Sequence, residues 1–139
     1  WTSSSVHGVT SDAGVAVQQP RASLHHDSFG WITDANGVAN VLIEGDDIVG
    51  ETVIIEDECE HGGPTWGPGQ RTWCFNSDGT KVAYTRNENG FGSLWIYDRL
   101  TGDRHMVARA VHGCLSWNGN TLAASPQYPK PVPTFGVTL

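Results

Sequence analysis

Positive charge is scarce in this chain of 139 residues. Eight Lys and Arg residues stand against 15 Asp and Glu residues, which gives a formal net charge of −7. Nucleic-acid binding depends on clustered cations that neutralise phosphates, and anionic membrane surfaces attract the same kind of cluster. Neither a nucleic acid nor a membrane is therefore expected as a partner.

Long apolar runs are missing as well. No run of aliphatic residues exceeds three, as in Val53-Ile54-Ile55, whereas a membrane-spanning helix needs about 20 apolar residues. The first residues, Trp1 to Ser5, lack the charged and apolar regions of a signal peptide, and no Met precedes them. We therefore expect neither a membrane segment nor a leader, and a chain that was trimmed or belongs to a longer one.

The chain has few cysteines, and their number is odd. Cys59, Cys74 and Cys114 show no C-x-x-C spacing, which argues against a disulfide framework and favours a reducing compartment, the cytoplasm. Because free cysteines are usually buried, we expect three small core residues.

The chain is rich in turn residues and in tryptophan. It contains 17 Gly, 7 Pro and 6 Trp, and only 17% of its residues are charged. The length is that of one domain, and no segment keeps a helical period over ten residues. This composition predicts short strands joined by tight turns, in an all-β fold of antiparallel four-stranded sheets.

Internal repetition supports this prediction. Ser77-Asp78-Gly79-Thr80 is turn chemistry, and the strand-like segments 81–85 and 94–97 follow it. A shift of 53 residues places 29–33 on 82–86 and Gly37 on Gly90, and a shift of 40 places 115–123 on 75–83. Both spacings are close to the length of a β-propeller blade, roughly 40–50 residues. We therefore divide a single all-β unit into a blade at about 19–72, a blade at 73–112, and a partial blade with a proline-rich tail at 113–139.

The large aromatic residues fit the same picture. We expect them to fill the wedges between adjacent twisted sheets rather than to stack on sugars or bases. They are Trp31, Trp66, Trp73, Trp95 and Trp117. The tail after Ala124 carries four prolines, so we expect it to be extended or irregular, without a central strand.

The motif Ser77-Asp78-Gly79-Thr80-Lys81-Val82-Ala83-Tyr84, with segment 94–98 and Thr101-Gly102 behind it, resembles the repeat of TolB-like propellers. The same repeat builds the N-terminal propeller of prolyl oligopeptidase-family serine peptidases, and the loop 61–71 is similar to that of acylaminoacyl-peptidase-like members. Asn76-Ser77 stands where the family usually has Ser-Pro. The resemblance covers about residues 19–124 and implies about two and a half blades.

The resemblance implies a peptidase whose catalytic part is absent from these residues. Such peptidases carry Ser, Asp and His on a separate α/β-hydrolase domain, with the serine in a G-x-S-x-G turn, and this sequence has no such motif. We expect a non-catalytic segment that gates substrate and docks onto the hydrolase domain. Its partners would be that domain and the remaining blades of a parent chain, or further copies of itself, with a peptide substrate bound through the parent.

Two other interpretations stay open. One is a TolB-like module that binds a protein partner without catalysis. The other is a β fragment without evolved activity that self-associates through bare sheet edges.

Candidate binding residues lie in two polar stretches and at Arg71. Segment 56–61 is rich in carboxylates; a solvated loop between blades is the favoured interpretation, and a metal site or recognition of a peptide amino terminus by Glu58 or Glu60 are the alternatives. Its spacing matches no EF-hand or zinc finger, so no metal or cofactor is expected. Arginines can bind a carboxylate in a two-pronged manner, and segment 86–88 is expected to lie in a long hairpin connection. The candidate substrate-binding residues are Glu58, Glu60, His61, Arg71, Arg86 and Glu88.

Overall fold

The computed structural model describes residues 14–45, 52–63, 69–110, 112–126 and 135–138. Every regular element in these ranges is a β-strand, and none of them contains a helix of the length and hydropathy that crossing a membrane requires. The prediction of an all-β chain built from antiparallel sheets is confirmed.

The strands of the described residues form three sheets, named sheet 1, sheet 2 and sheet 3 in chain order. Sheet 1 has the order β1-β2-β3-β4, with strands Val17–Ala22, Phe29–Thr33, Asn40–Glu44 and Val53–Ile54. Sheet 2 has the order β5-β6-β7-β8, with strands Trp73–Phe75, Lys81–Glu88, Phe91–Asp98 and Arg104–Arg109. Sheet 3 has the order β11-β10-β9, with strands His112–Asn118, Thr121–Pro126 and Phe135–Thr138 for β9, β10 and β11.

The internal repetition has a structural counterpart. The shift of 53 residues places β2 on β6 and β3 on β7, and its turn glycines Gly37 and Gly90 have φ angles of 85° and 83°. The shift of 40 places β10 on β6, and Gly79 and Gly119 both have positive φ. Only glycine adopts this region without steric cost, so the repeat is anchored at positions where the backbone requires that residue.

The turn between β5 and β6 shows why the Asp-Gly motif closes this hairpin. The Asp78 carboxylate accepts hydrogen bonds from the Thr80 amide at 2.9 Å and the Thr80 hydroxyl at 2.6 Å. These bonds stabilise the charged carboxylate and lower the pKa of Asp78. The turn thereby satisfies its own polar groups and lets β6 begin at Lys81.

One connection is shorter than the sequence suggested. Segment 86–88 was expected in a long hairpin connection, but it belongs to β6, where Glu88 pairs with Phe91. The connection is the two-residue turn Asn89-Gly90, both of whose residues have positive φ. An Asn-Gly pair closes a tight hairpin, so the polar residues 86–88 before it remain paired with β7.

Sheet 2 is buried on both faces. Along β6, Val82 and Tyr84 join a core cluster with sheet 1, whereas Ala83 joins a second cluster with sheet 3. Successive side chains of a strand point to opposite faces, so the enclosed centre of β6, from Val82 to Tyr84, has a buried side chain at each position. The first cluster consists of Ile32, Val41, Ile43, Ile55, Trp73, Val82 and Tyr84. The second consists of Cys74, Ala83, Leu94, Ile96, Leu115, Leu122 and Ala124.

Three of the five tryptophans pack between sheets as expected. Trp73 is fully buried in the first cluster, Trp95 packs against it, and Trp117 packs against the second cluster. Trp73 fits because β2 has Gly30 opposite it: a Cβ atom there would lie 3.0 Å from the indole and 2.5 Å from the Leu42 carbonyl. Trp31 stacks on Phe29 of its own strand. Trp66 lies outside the described residues.

The expectation of three buried cysteines is wrong for two of them. All three are free thiols, but Cys59 is half-buried and Cys114 is exposed. Only Cys74 lies in the core, where burial raises the pKa of its thiol to about 12. Cys59 belongs to a chain segment that crosses between sheets, and Cys114 sits at a φ of 51°, so neither position is set by the strand alternation.

The tail contributes an edge strand. β11, Phe135–Thr138, pairs with β10 at the outside of sheet 3, so this part of the tail is extended and not central. Residues 127–134 lie outside the described residues. The division into blades at 19–72, 73–112 and 113–139 and the number of two and a half blades stay predictions.

Candidate functional site

The segment from Ile55 to His61 crosses from sheet 1 to sheet 2 and forms the floor of the candidate site. Its side chains alternate: Glu56, Glu58 and Glu60 are exposed, whereas Ile55 and His61 are buried. Both ends are fixed to β3 and its turn, because the Ile55 amide donates to the Val41 carbonyl at 2.9 Å and the His61 amide to the Ala39 carbonyl at 2.7 Å. The segment is therefore extended like a strand and fixed at both ends, and only one row of its side chains faces solvent.

Asn40 holds the middle of this segment. Its side chain accepts the Asp57 amide at 3.0 Å and donates to the Cys59 carbonyl at 3.1 Å. A buried amide side chain that makes both bonds replaces the partners that a sheet would supply. Asp57 is thereby aimed inward, toward sheet 2.

Asp57 forms a charged cluster with one residue on its own segment and one on β6. Its Oδ2 atom lies 2.8 Å from Arg86 Nε and 3.4 Å from His61 Nε2. The Asp57 side chain is 7% exposed, His61 is fully enclosed, and Arg86 is 23% exposed. Arg86 also lies over the Trp95 ring at 5.4 Å and 3.6 Å from the Glu88 carboxylate. The carboxylate and guanidinium thus neutralise each other at the boundary between sheets 1 and 2.

His61 has no free ring nitrogen for acid–base chemistry. Its Nδ1 accepts the Val41 amide at 3.2 Å, which leaves Nε2 to donate toward Asp57. Burial lowers the pKa of His61 to about 4, although the hydrogen bond and charge of Asp57 partly oppose the shift. The ring also packs on Tyr84, with centroids 4.5 Å apart. His61 is a neutral, structural histidine at neutral pH and not a general base.

A cavity of about 610 Å³ opens above this cluster. Arg104 of β8 lies at its side, with Nη1 donating to the Glu56 carbonyl at 2.8 Å, and Asn36 donates to the Glu56 carboxylate at 3.2 Å. Its lining residues are Asn36, Val38, Asn40, Glu56, Asp57, Glu58, Arg86, Trp95 and Arg104. Carboxylates, guanidinium groups and one indole face the same space, which suits a polar ligand with an apolar portion.

The predicted binding residues fall into four places. Glu58 and Arg86 line this cavity, and Glu88 approaches it through Arg86. Glu60 lines a neighbouring cavity of about 490 Å³, and His61 is fully enclosed. Arg71 lies apart, at the start of sheet 2 next to sheet 3. Their role in binding stays a prediction.

Asp57, the centre of the charged cluster, was not among the predicted residues. The alternation of the segment Ile-Glu-Asp-Glu-Cys-Glu-His was the available signal, because a period of two separates one solvated row of glutamates from an inward row. In the described residues, no cluster of three or more His, Cys, Asp or Glu side chains is arranged to hold a metal ion.

The fold is similar to that of a solved acylaminoacyl peptidase in complex with Z-Gly-Gly-Phe-chloromethyl ketone. The two match with a TM-score of 0.53 and 19% sequence identity, over 79% of this chain and 17% of that chain. No protein-family model matches the sequence, and no curated protein matches it either. At this identity the likeness is one of fold, that of a partial propeller of antiparallel sheets, and the chain spans about a sixth of the peptidase's length.

Proposed function

We propose that this chain is a segment of the propeller domain of a prolyl oligopeptidase-like serine peptidase. The observation that carries the proposal is the similarity of fold to an acylaminoacyl peptidase over 79% of the chain. The sequence repeat around Ser77–Tyr84 supports it independently, since it resembles the propeller repeat of that family. The repeat and the fold together favour a peptidase propeller over an unrelated β domain.

In this proposal the segment gates substrate and does not itself cleave peptides. The sequence contains no G-x-S-x-G motif, and both ring nitrogens of His61 are engaged. The cavity beside Glu58, Arg86 and Arg104 would meet charged groups of a passing peptide. Acyl transfer to a serine would take place on a hydrolase domain, which docks onto the propeller together with the remaining blades.

The partners and location follow from the same proposal. The segment would act as part of a parent chain, or beside further copies of itself that supply the other blades. A cytoplasmic location is proposed because the three thiols are free and structural disulfides are rare in that compartment.

The proposal is tested by reading the coding sequence beyond the codon for Leu139. We expect an in-frame α/β-hydrolase domain with a G-x-S-x-G motif. The longer protein should cleave a peptide p-nitroanilide and lose that activity with a serine-directed inhibitor, and the 139-residue chain is the matched control without activity. A reading frame without a hydrolase domain, or inhibitor-sensitive cleavage by the 139-residue chain, would overturn the proposal.

The reading frame and the state of the 139-residue chain in solution also distinguish the two other functions. A reading frame without a hydrolase domain, combined with a monomeric and cooperatively folded chain, would favour a TolB-like binding module. Concentration-dependent assembly in light scattering, without a specific partner, would favour a self-associating fragment.

A further inference from the structure

A groove of about 370 Å³ runs across the first strands of the three sheets, β1, β5 and β9. These strands are held together by hydrogen bonds between sheets. Gln19 of β1 accepts the Thr72 amide at 2.9 Å, donates to the Thr72 hydroxyl at 3.0 Å, and offers its carbonyl to the Trp73 indole at 3.1 Å. The Leu115 amide of β9 donates to the Arg71 carbonyl at 2.9 Å. The strands that line the groove are therefore fixed relative to one another.

A β-bulge in β1 aims an arginine into this groove. The register with β2 shifts between Gln18 and Arg21, and Gln19 has a φ of 52°. A residue other than glycine is uncommon at that angle, and bulges redirect side chains next to functional sites. Beyond the bulge, the Arg21 guanidinium reaches the segment before β5 and donates to the Gln70 carbonyl at 3.2 Å.

Arg21 and Arg71 bring two like charges to the same groove. Burial lowers the pKa of Arg21, and the positive charge of Arg71 lowers it further. Among the described residues neither guanidinium has a carboxylate within ion-pair distance, in contrast to Arg86, which lies 2.8 Å from Asp57. In a chain with a net charge of −7, this is a local surplus of positive charge that an anion would relieve.

The other walls of the groove are largely apolar. Pro20, Leu24, Phe75, Leu115 and Trp117 line it beside the two arginines. Leu24 is 86% exposed at the rim, and the Trp117 indole N–H is buried without an acceptor. Inorganic phosphate gains nothing from such walls, whereas a carboxylate attached to an apolar group gains from both parts of the surface.

We propose that this groove binds the carboxylate of a short peptide, with Arg71 and Arg21 as its cationic partners and the apolar walls holding the adjacent side chain. The identification of the ligand as a peptide rests on the proposed function, but the charge and shape of the groove do not. The carboxylate could belong to the peptide's C-terminus or to an acidic side chain, which share the same chemistry.

The test is calorimetric titration of the 139-residue chain with acetyl-Ala-Leu carrying a free carboxylate, and with the same peptide as its amide. We expect binding of the acid to be at least tenfold tighter than that of the amide, because a charged hydrogen-bonded pair is lost with the amide. Acetyl-Glu amide tests the side-chain source, and binding of either carboxylate supports the proposal. Equal binding of acid and amide, or inorganic phosphate binding as tightly as the peptide acid, would overturn it.

Substitutions locate the binding to the groove. R71Q should weaken binding of the peptide acid by about tenfold to a hundredfold, whereas R109Q, at an exposed arginine of β8 outside the groove, should leave it unchanged. R71K, which keeps the charge but loses the two-pronged geometry, should fall between them. Because Arg71 is exposed, these variants are expected to fold, and an unchanged R71Q would contradict the proposal whatever the reading frame beyond Leu139 shows.

Discussion

The two interfaces of sheet 2 contain different kinds of side chain. The interface with sheet 1 combines large aromatics, such as Trp73 and Tyr84, with the buried charged cluster of Asp57, His61 and Arg86. The enclosed centre of the interface with sheet 3 consists of small and medium aliphatic side chains and the Cys74 thiol, with Trp117 packed against it. Both bury apolar surface, which is the main stabilising contribution. The first interface also encloses a cluster of polar side chains, whereas the hydrogen bonds across the second start from backbone amides, those of Leu115 and Gly119.

The two interfaces therefore differ in how far they tolerate substitution, although both contribute to the stability of the fold. Apolar contacts tolerate exchange when volume is kept, whereas a buried polar group that loses its partner retains its full desolvation cost. The polar groups between sheets 1 and 2 also define where the crossing segment lies and hence the shape of the candidate cavity.

The largest expected effect is at the aromatic centre of the first interface. Trp73→Ala removes a fully buried indole that lies against the edge of Phe75 and donates to the Gln19 carbonyl. We expect the free energy of unfolding to fall by about 3–5 kcal/mol, as for other large-to-small core substitutions, measured by urea denaturation. Leu100→Ala, at a side chain 67% exposed, is the control and should change little. A loss below about 1 kcal/mol would contradict the described packing.

Acid should weaken the first interface through His61. Its pKa is about 4 in the folded protein and about 6.5 in an unfolded chain. Between these values the unfolded state binds the proton and the folded state does not, so stability is complete above about pH 6.5 and falls as the pH drops toward 4. The expected loss from this group between pH 7 and pH 4.5 is about 2–3 kcal/mol.

That loss is isolated by difference, since carboxylates titrate in the same range. Urea denaturation at both pH values should show a smaller pH effect in His61→Gln than in the wild type, and His105→Gln, at an exposed histidine, should match the wild type. Equal pH effects in all three proteins would show that His61 does not carry the dependence.

The charge of Asp57 should matter less than the indole of Trp73. Asp57→Asn keeps the shape of the side chain but removes the charge that faces Arg86 and His61. We expect a loss of about 1.5–3 kcal/mol, the contribution of a hydrogen-bonded charge, in urea denaturation at pH 7. Asp103→Asn, on an exposed turn, is the matched control. A more stable variant would indicate that desolvation of the charges outweighs their attraction.

The smallest effect is expected in the second interface. Leu122→Met conserves volume in a purely apolar setting, so the free energy of unfolding should fall by less than about 1.5 kcal/mol. The comparison with Asp57→Asn is informative because both side chains are almost fully enclosed. If Leu122→Met costs more, the second interface is as specific as the first and the contrast between them fails.

Much of the fold was accessible from the sequence because its turns are local. Gly37 and Gly90, 53 residues apart, both have a positive φ in the connections that join β2 to β3 and β6 to β7, and the turn residues indicate this correspondence. The strands at 81–85 and 94–97 likewise follow from their local content of β-branched and aromatic residues. These features depend on a few neighbouring residues, for which the chemistry is well defined.

The candidate site was less accessible because it depends on partners distant in sequence. The inward position of Asp57 is accompanied by a hydrogen bond from its amide to Asn40, and the positive φ of Gln19 by hydrogen bonds from Thr72 and Trp73. Neither residue type signals that conformation by itself. The polar segment 86–88 was misplaced for a related reason: composition suggested a connection, whereas pairing with β7 decides the strand.

The enclosure of sheet 2 on both faces has a consequence for how the chain folds. Val82 and Ala83 are adjacent in sequence, yet each needs a different neighbouring sheet to be covered. Sheet 2 consequently has no stable state of its own, and its formation is thermodynamically tied to both neighbours, as in a one-dimensional array of coupled repeats. Loss of sheet 1 or of sheet 3 would expose one face of sheet 2 and thereby weaken its packing on the other face. The three sheets are therefore expected to unfold as one cooperative unit.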